Sequence, residues 1–437
     1  MAAAAMRPSR TESLPTDRLV RLTNCLLPVD GRLVPGSLLI NSTTGIIVSP
    51  QDTFYDSKLP ASSTVDLGGR LLVPGFIDVQ INGAYGFDFS DASKSDEQYA
   101  KGLREVNRQF VSTGVTGYLP TITSQKDNVY HHTLPHLGPS PRDPSLGSSS
   151  LGAHVEGPFL NPDKNGIHPR HVLQTPKDGL HSLETVYGKD NLDKKIKMIT
   201  LAPELLPPAS LPSLPSVLAS KNIVLSAGHS TATYSQLIAS NINMITHLYN
   251  AMNQPQQREP GIPGAVLADA TRSRYFGIIA DGVHVHPANI KWAYKSNPSG
   301  LCLVTDAMSL LGLPDGEYVW GNGESIVKTG GVLTLKGTTK IAGSCVTLVE
   351  CLNNFMRYTG IGIAEAIKCV TATPARMLGL EGVKGSLGAG ADADLCVLDV
   401  RSDGAVSVEQ VWKFGVKVFE KGARKGARPG VVELSRL

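Results

Sequence analysis

Eight short apolar runs, several of them followed by a helical pattern, divide the middle of this 437-residue chain. In order they read FIDVQING, GVTGYLPTIT, LGAHVEGPFL, KMITLAPE, IVLSAGHS, MITHLYNAM, YFGIIADGVH and LCLVTDAM. Helical patterns lie at 95–112, 205–220, 231–241, 287–297 and 347–358, and Ser230 or Thr231 is the expected cap of the third. Eight alternating strand–helix units predict an α/β fold, a parallel (β/α)8 TIM-like barrel.

The segments before and after these strand–helix units have the sequence pattern of a small β domain. Short strand-like runs punctuated by glycine and other turn residues lie between 18 and 73 and again after 385, as in a β-sandwich. We therefore predict a disordered tail over 1–17, a β-sandwich formed by 18–73 together with 385–437, and the barrel over 74–384. The Pro-, Ser- and Gly-rich stretch 134–150 is predicted to be a mobile surface loop.

The composition limits the possible binding partners and the cellular location of the protein. A formal net charge of +3 is too small to indicate nucleic acid or a membrane surface as a partner. No window approaches the roughly 18 apolar residues that a membrane helix needs. The six cysteines are scattered without a CxxC pair, which is typical of reduced thiols in a cytosolic protein, so we expect a cytoplasmic location.

Polar residues fall where the predicted strands end, which is where barrels of this kind place their chemistry. Five of the eleven histidines lie in these windows. A single histidine at a strand end is more often a hydrogen-bonded core residue, and that alternative stays open for each one. The strand-end residues are His154 and Glu156 (third strand), His229 (fifth), His247 (sixth), Asp281, His284 and the nearby His286 (seventh), and Asp306 (eighth).

Glu156, His229 and His247 together offer one carboxylate and two imidazoles. That set suits zinc or another borderline divalent ion with a position left open for water. Asp306 on the last strand is the candidate to take a proton from that water and pass it to the leaving group. The alternative for Asp306 is a structural cap of the following loop.

A second group of residues indicates an anionic substrate. The stretch HLYNAMNQPQQREPGIPG places Asn250 and the backbone amide of Ala251 just after His247, with Arg258 further along. A guanidinium gives a forked donor pair that suits phosphate, and backbone amides complete an anion cradle. His284 could add a third contact, while a surface ion pair is an equal alternative for Arg258.

Six motifs, PGFIDVQINGAYGFDFS, HVEGPFLNPDKNGIHP, SAGHSTATYSQ, THLYNAMNQ, IADGVHVHP and LVTDAM, resemble the N-acetylglucosamine-6-phosphate deacetylases of the amidohydrolase superfamily. The resemblance runs from about residue 20 to about residue 420, and HVEGPF together with THLYNAM is its most specific part. It implies metal-dependent hydrolysis of the acetamide of N-acetyl-D-glucosamine 6-phosphate. One departure is the loop NQPQQREPG, which carries glutamines where relatives often have histidines and aromatic residues.

The resemblance also implies a role for each site residue and a homodimer, since phosphate contacts in the family can come from a neighbouring subunit. Ile167 would contact substrate through its backbone, His168 would polarise the acetyl carbonyl, and Ile341 would centre a sugar-facing turn in KIAGS. The metal ligands would be Glu156, His229 and His247, the general base and acid Asp306, and the phosphate contacts Asn250, Ala251, Arg258 and His284.

Gln80 and Asn82 stand where many amidohydrolases carry His-x-His for a second metal ion. Neutral amides are poor ligands for a transition metal, so the pair predicts one divalent ion per subunit, with the second position empty or occupied by water held by Gln80. The alternative is that both amides simply tie down the mouth of the barrel. Two other functions stay open: an amidohydrolase acting on a different amide, and an inactive scaffold with the same fold.

Overall fold

The structure is a computed structural model that describes residues 19–49, 51, 61–208, 213–268, 274–319 and 325–423. The predicted tail over 1–17 and the last residues of the predicted β-sandwich, from 424 onward, lie outside the described residues. Among the helices in the described ranges, none combines the length and the apolar character that crossing a membrane requires.

The elements alternate along the chain as the sequence predicts. The strands are β1 (Leu19–Val29), β2 (Arg32–Asn41), β3 (Ile46–Val48), β4 (Ser63–Asp66), β5 (Leu71–Pro74), β6 (Phe76–Ile81), β7 (Gly83–Ala84), β8 (Phe87–Asp88), β9 (Val115–Ile122), β10 (Ser149–Ser150), β11 (Ala153–Glu156), β12 (Ile196–Leu201), β13 (Val224–Ala227), β14 (Met244–Ile245), β15 (Tyr275–Ile279), β16 (Leu301–Val304), β17 (Gly316–Val319), β18 (Ser325–Thr329), β19 (Val332–Leu335), β20 (Ile341–Ser344), β21 (Leu395–Val400), β22 (Val406–Lys413) and β23 (Val416–Glu420). The α-helices are α1 (Asp96–Phe110), α2 (Asp127–Leu137), α3 (Leu180–Tyr187), α4 (Lys189–Lys194), α5 (Ser213–Ser220), α6 (Tyr234–Ser240), α7 (Gly261–Leu267), α8 (Pro287–Ser296), α9 (Leu348–Thr359), α10 (Ile363–Ala366) and α11 (Ala372–Met377).

Eight parallel strands form the barrel, in the order β6, β9, β11, β12, β13, β14, β15 and β16. The ring closes between its first and last strands, where Ile81 bridges Ala307 and the Asp306 amide donates to the Gln80 carbonyl at 2.8 Å. Strands β6, β9 and β12 are buried along their whole length, which explains why they are continuous apolar runs. The barrel and all eight predicted strands are confirmed.

The predicted helices also form, with two corrections. The predicted helix at 205–220 begins only at Ser213, because prolines at 207 and 208 cannot continue a helix; residues 209–212 lie outside the described part. Thr233 caps α6 by accepting from the Gln236 amide at 3.2 Å. The prediction that Ser230 or Thr231 caps it is wrong, because their hydroxyls lie before the true start of the helix.

A small β domain joins the two ends of the chain, as predicted. Strand β5 pairs antiparallel with β21, so that Leu71 lies opposite Leu398 and Pro74 opposite Leu395. Around this pair the sheet runs in the order β23, β22, β21, β5, β1, β2 and β3, with β4 also pairing with β1. All eight strands thus belong to one continuous sheet.

A four-stranded antiparallel sheet, β17 to β20, interrupts the chain between β16 and α9 and is absent from the sequence predictions. It is fixed to the barrel where Ser344 bridges Ala307 and the Met308 amide donates to the Ser344 carbonyl at 2.8 Å. The attachment point directly follows Asp306, so this sheet stands beside the mouth of the barrel. Its strands are short and partly exposed, which weakens their apolar pattern in the sequence.

The stretch 134–150 contains more regular structure than the predicted loop. It contains the end of α2, a 3-10 turn at Pro144–Leu146 and β10. The hydroxyl of Ser148 donates to the Val115 carbonyl at 2.5 Å, and Arg142 contacts Asp392 of the small β domain. Residues 139–146 lie at the surface, as predicted, but serines and an arginine of the stretch bond to the rest of the protein; its mobility stays a prediction.

Candidate active site

Three side chains from three strand ends meet at the mouth of the barrel. Glu156 is the last residue of β11, while His229 and His247 each lie two residues past β13 and β14. The Glu156 Oε1, His229 Nε2 and His247 Nε2 atoms lie 3.1 Å from one another. All three residues are buried, and in the described part of the chain they form the one group with the spacing of a metal site.

The hydrogen bonds around this cluster prepare it for a cation. His229 Nδ1 lies 2.7 Å from the Lys164 carbonyl, which holds the proton on Nδ1 and leaves Nε2 with a free lone pair. Burial alone would raise the pKa of Glu156, but its close contacts with the two imidazoles hold that pKa well below its usual value. A carboxylate and two imidazole nitrogens that face one another at this distance fit a divalent cation.

Asp306 lies beside the cluster, just after β16. Its Oδ1 accepts from Asn82 Nδ2 at 2.8 Å and from Gln80 Nε2 at 3.2 Å. Burial, followed by the negative charge of Glu156, raises the pKa of Asp306 to about 6. A carboxyl group with a pKa this close to neutrality can both accept and return a proton.

His168 reaches the same space from the loop after β11. The Ser124 amide donates to His168 Nδ1 at 3.0 Å, so the ring proton sits on Nε2. Nε2 lies 4.0 Å from Glu156 Oε1 and therefore faces the cluster. Burial, followed by the nearby His229, lowers the pKa of His168 to about 3, so the ring is a neutral hydrogen-bond donor.

Three of these residues adopt the left-handed backbone region. The φ angles are 48° at His229, 28° at His247 and 48° at Asp306. Residues with side chains rarely adopt such angles, and they cluster at functional sites where the surrounding structure holds them in place. The turn at each strand end directs the side chain into the barrel mouth.

Gln80 and Asn82 connect the two halves of the site. Gln80 Nε2 lies 3.2 Å from both Glu156 Oε2 and Asp306 Oδ1. Because a carboxylate can only accept, the bond from Asn82 Nδ2 to Asp306 fixes the orientation of the amide. Asn82 Oδ1 is then buried without a hydrogen-bond partner among the described residues, which leaves an acceptor for water or substrate.

Of the residues predicted to hold phosphate, Asn250 and Ala251 lie beside the cluster, and His284 is near enough to Asp306 to oppose the rise of its pKa. Asn250 and Ala251 follow His247 directly, and Ala251 has a φ of 50°. His284 donates from Nδ1 to Asp281 Oδ2 at 2.6 Å. Arg258 is exposed, and its guanidinium forms no ion pair within the described residues. The alternative prediction, a surface ion pair, therefore finds no partner in that part of the chain.

Ile167 and Ile341 both involve the four-stranded sheet. Ile167 packs against an apolar cluster that includes Met308 and Leu333, on and beside that sheet. Ile341 begins β20, so residues 341–344 form a strand paired with β19 and not the predicted turn; the contact of Ile341 with the sugar stays a prediction. The sheet thereby stands next to the loop that carries His168.

Sequence reasoning missed two positioning contacts and overvalued two histidines. Ser124, at the end of the second barrel strand, and the Lys164 carbonyl each fix an imidazole, but a backbone contact leaves no side-chain pattern to find. His154 lies deeper in the barrel, with Nε2 2.7 Å from the Thr200 hydroxyl. His286 caps α8 by accepting from the Ala288 amide.

A parallel barrel with a Glu–His–His cluster at its strand ends is the arrangement of an amidohydrolase, and residues 71–426 match the amidohydrolase family. The chain belongs, within it, to the N-acetylglucosamine-6-phosphate deacetylase family. It is 37% identical over 407 residues to the Bos taurus protein of that name, covering 90% of this chain and 96% of the relative.

Solved structures agree with this assignment. The Thermotoga maritima N-acetylglucosamine-6-phosphate deacetylase is 29% identical, with a TM-score of 0.73, and the match covers 92% of this chain and 99% of that chain. A mutant of the Mycobacterium smegmatis enzyme, in complex with N-acetyl-D-glucosamine-6-phosphate, is 27% identical, with a TM-score of 0.74, and the match covers 92% of this chain and all of that one. Fold and family are therefore shared along most of the chain.

Proposed function

We propose that this chain hydrolyses the acetamide of N-acetyl-D-glucosamine 6-phosphate to D-glucosamine 6-phosphate and acetate. One observation carries the proposal: Gln80 contacts Glu156 and Asp306 at 3.2 Å each, so the metal ligands and the acid–base residue share one pocket. The relatives of the same family supply the substrate, since their name specifies this phosphorylated amino sugar.

We expect one divalent ion per subunit, held by Glu156, His229 and His247, and zinc is the first ion to test. An ion in this position supplies Lewis acidity, which makes a water molecule more acidic and polarises the acetyl carbonyl. Gln80 and Asn82 offer neutral amides in place of further ligands, and both amides already donate to Asp306. A single-ion site is the arrangement that this donor set favours.

Asp306 performs the proton transfers in this proposal. Its carboxylate accepts a proton from the attacking water and then delivers it to the sugar nitrogen as the carbon–nitrogen bond breaks. Asn82 and Gln80 hold its Oδ1 and keep the carboxylate directed at the reacting atoms. The raised pKa of Asp306, about 6, favours the return of the proton to the amine.

His168 stabilises the charge that develops on the acetyl oxygen. Its Nε2–H faces the cluster, because the Ser124 amide occupies Nδ1. A neutral, preoriented donor in a buried site needs no rearrangement when the oxyanion forms. The low pKa of His168 keeps the ring in this neutral form throughout the physiological range.

The phosphate end of the substrate is assigned to Asn250, the Ala251 amide, His284 and Arg258. Arg258 is exposed and unpaired among the described residues, which suits a guanidinium that completes the site of a second copy. We therefore propose a homodimer in which Arg258 crosses to the partner. Ile167 and Ile341 are assigned to the sugar through their position near the four-stranded sheet.

The six cysteines are free and buried, which favours a reducing, cytoplasmic setting for the enzyme.

An acetate-release assay tests the function directly. Protein of measured zinc content should release acetate from N-acetylglucosamine 6-phosphate and far more slowly from N-acetylglucosamine, because the phosphate contacts are lost. Equal rates on both would indicate an amidohydrolase for a different amide. Loss of acetate release after chelation, with recovery on adding zinc, checks the ion; metal-loaded protein that releases no acetate would indicate a scaffold.

A further inference from the structure

A second cavity, of about 330 Å³, lies at the end of the barrel opposite the metal ligands. Its wall includes the first residues of β12, the turn before β13 and a face of the small β domain around Phe414. Strand β12 separates it from the barrel mouth, and six residues of strand span roughly 20 Å. The cavity therefore shares no wall with the candidate active site.

The lining of this cavity is basic. Five cationic and two acidic side chains, Asp193 and Asp392, line the cavity; two further acids just outside the lining, Asp190 and Asp394, pair with Lys194 and Lys384 at 2.5 Å each. Lys221 pairs with Asp193 at 2.5 Å, and Lys384 pairs with Asp392 at 2.8 Å. The five cations are Arg142, Lys194, Lys197, Lys221 and Lys384.

Lys197 carries the argument, because it is a buried ammonium without an acid. Its Nζ donates to the carbonyl oxygen of Asn222 at 3.0 Å and to Asn222 Oδ1 at 2.7 Å, both neutral acceptors. Within the described residues it has no ion pair, and only 6% of the residue is exposed. Burial lowers the pKa of Lys197 to about 8. An ammonium group has three donors, so one remains for a ligand.

The neighbouring backbone leaves room for this lysine. Gly152 has a φ of 116°, and a Cβ at this position would lie 2.8 Å from Lys197 Cβ. The chain thus uses a glycine where the stem of the buried lysine passes. Burying a cation without an acidic partner costs free energy. An anion bound next to Lys197 would offset that cost, so the cavity favours an anionic ligand.

We propose that this cavity binds a small phosphate-bearing anion. Lysine and arginine donors suit phosphate oxygens, and the volume is that of a small-metabolite pocket. Free phosphate and the phosphate of an amino sugar share this chemistry. Because the cavity touches both the barrel and the small β domain, a bound anion would join the two through Lys197 and Arg142.

Calorimetric titration of the zinc-loaded protein with inorganic phosphate, and separately with glucosamine 6-phosphate, tests the proposal. Lys197→Gln should weaken one binding event by about tenfold, the effect of losing a hydrogen bond to a charged group. Arg258→Gln should leave that event intact, which separates it from phosphate held at the catalytic site. Lys368→Gln, an exposed lysine paired with Glu365, is the matched control and should change nothing.

The ligand that shows the Lys197-dependent event identifies the source of the phosphate. Arg142→Gln is a second variant for which folding is a smaller concern, since half of the Arg142 side chain is exposed. It should weaken the same event. If Lys197→Gln and Arg142→Gln bind both ligands as the unmodified protein does, the proposal is wrong, even where Lys197→Gln lowers the melting temperature.

Discussion

Two buried carboxylates in this protein each meet two basic side chains, yet only one of the two clusters can receive a cation. At the barrel mouth, Glu156 contacts the imidazoles of His229 and His247 at 3.1 Å. In the small β domain, Asp394 accepts from Lys384 at 2.5 Å and from Lys413 at 2.6 Å. An imidazole can give up its proton and offer a lone pair, whereas a charged ammonium offers none.

The cluster around Asp394 is complete in itself. Asp394 Oδ1 accepts from the Phe414 amide at 2.9 Å, and the Phe414 ring lies 4.1 Å from Lys413 Nζ. At the barrel mouth, by contrast, His247 Nδ1 is buried without a hydrogen-bond partner among the described residues. The comparison teaches that the same ratio of acid to base can stabilise a fold or await a ligand, depending on which base is used.

The largest expected effect is a loss of turnover at the barrel mouth without a loss of the bound metal ion. Asp306→Asn should lower kcat by about 10²–10⁴-fold, the range for loss of a general acid–base group. Metal content should stay at one ion per chain, because Asp306 is not a ligand. Acetate release and metal analysis on the same sample measure both quantities; substantial remaining turnover would show that another group carries the proton.

The matching change in the other cluster should act on stability alone. Asp394→Ala leaves the fully buried Lys413 without its acid and should lower the free energy of unfolding by about 3–5 kcal/mol. Denaturant unfolding measures this loss, and kcat per folded chain should not change. Asp399→Asn, an exposed position on the same strand, is the control and should stay within about 0.5 kcal/mol.

The next largest effect is the stability gained from zinc, which should depend on the cluster at the barrel mouth and not on the cluster around Asp394. Zinc at 100 times its dissociation constant should raise the free energy of unfolding by about 2.7 kcal/mol. Glu156→Gln should abolish this increment, because the cluster loses its charge, while Asp399→Asn should retain it. Thermal unfolding with and without zinc gives the comparison. An equal increment in Glu156→Gln would place the ion elsewhere.

A smaller effect is expected one contact away from the substrate. Asp281 orients His284 through the 2.6 Å bond, so Asp281→Asn should raise KM about tenfold, as loss of one charge-assisted hydrogen bond does. The value of kcat should change little, since the pair lies outside the reacting atoms. A fall in kcat at unchanged KM would contradict a role in positioning the phosphate contact.

Acid should weaken the lysine cluster gradually. After the opposing effect of burial, Lys384 and Lys413 hold the pKa of Asp394 well below its usual value. A depressed folded-state pKa contributes stability above the unfolded value, near 4, and that contribution is lost as pH falls further, by at most about 1.4 kcal/mol per pH unit. Unfolding at pH 5 and 3.5 should show a stability contribution of Asp394, relative to Asp394→Ala, that is smaller at pH 3.5.

The barrel was predictable from the sequence because buried parallel strands leave continuous apolar runs. The residues at the strand ends could be grouped for the same reason, since strand ends of a barrel share one edge. The sequence does not separate Glu156, which faces the cluster, from His154 two residues before it, because both point into the barrel and only depth tells them apart.

Other features depend on contacts between distant segments. Thr233 rather than Ser230 caps α6, because Ser230 bonds to Glu204 at 2.6 Å, far away in sequence. The sheet β17 to β20 escaped prediction because its strands are partly exposed and bury few side chains. The stretch 134–150 has a loop-like composition, yet Arg142 fastens it to Asp392, 250 residues away.

The left-handed backbone at 229, 247 and 306 has a consequence for how this protein can be varied. Only a few residue types with side chains adopt that conformation readily, and asparagine, aspartate and histidine lead them. Of these three residue types, aspartate and histidine can also bind a metal ion or carry a proton. Randomised libraries at these three positions would thus be filtered twice: folding should select glycine, asparagine, aspartate and histidine, and activity should then retain only aspartate and histidine.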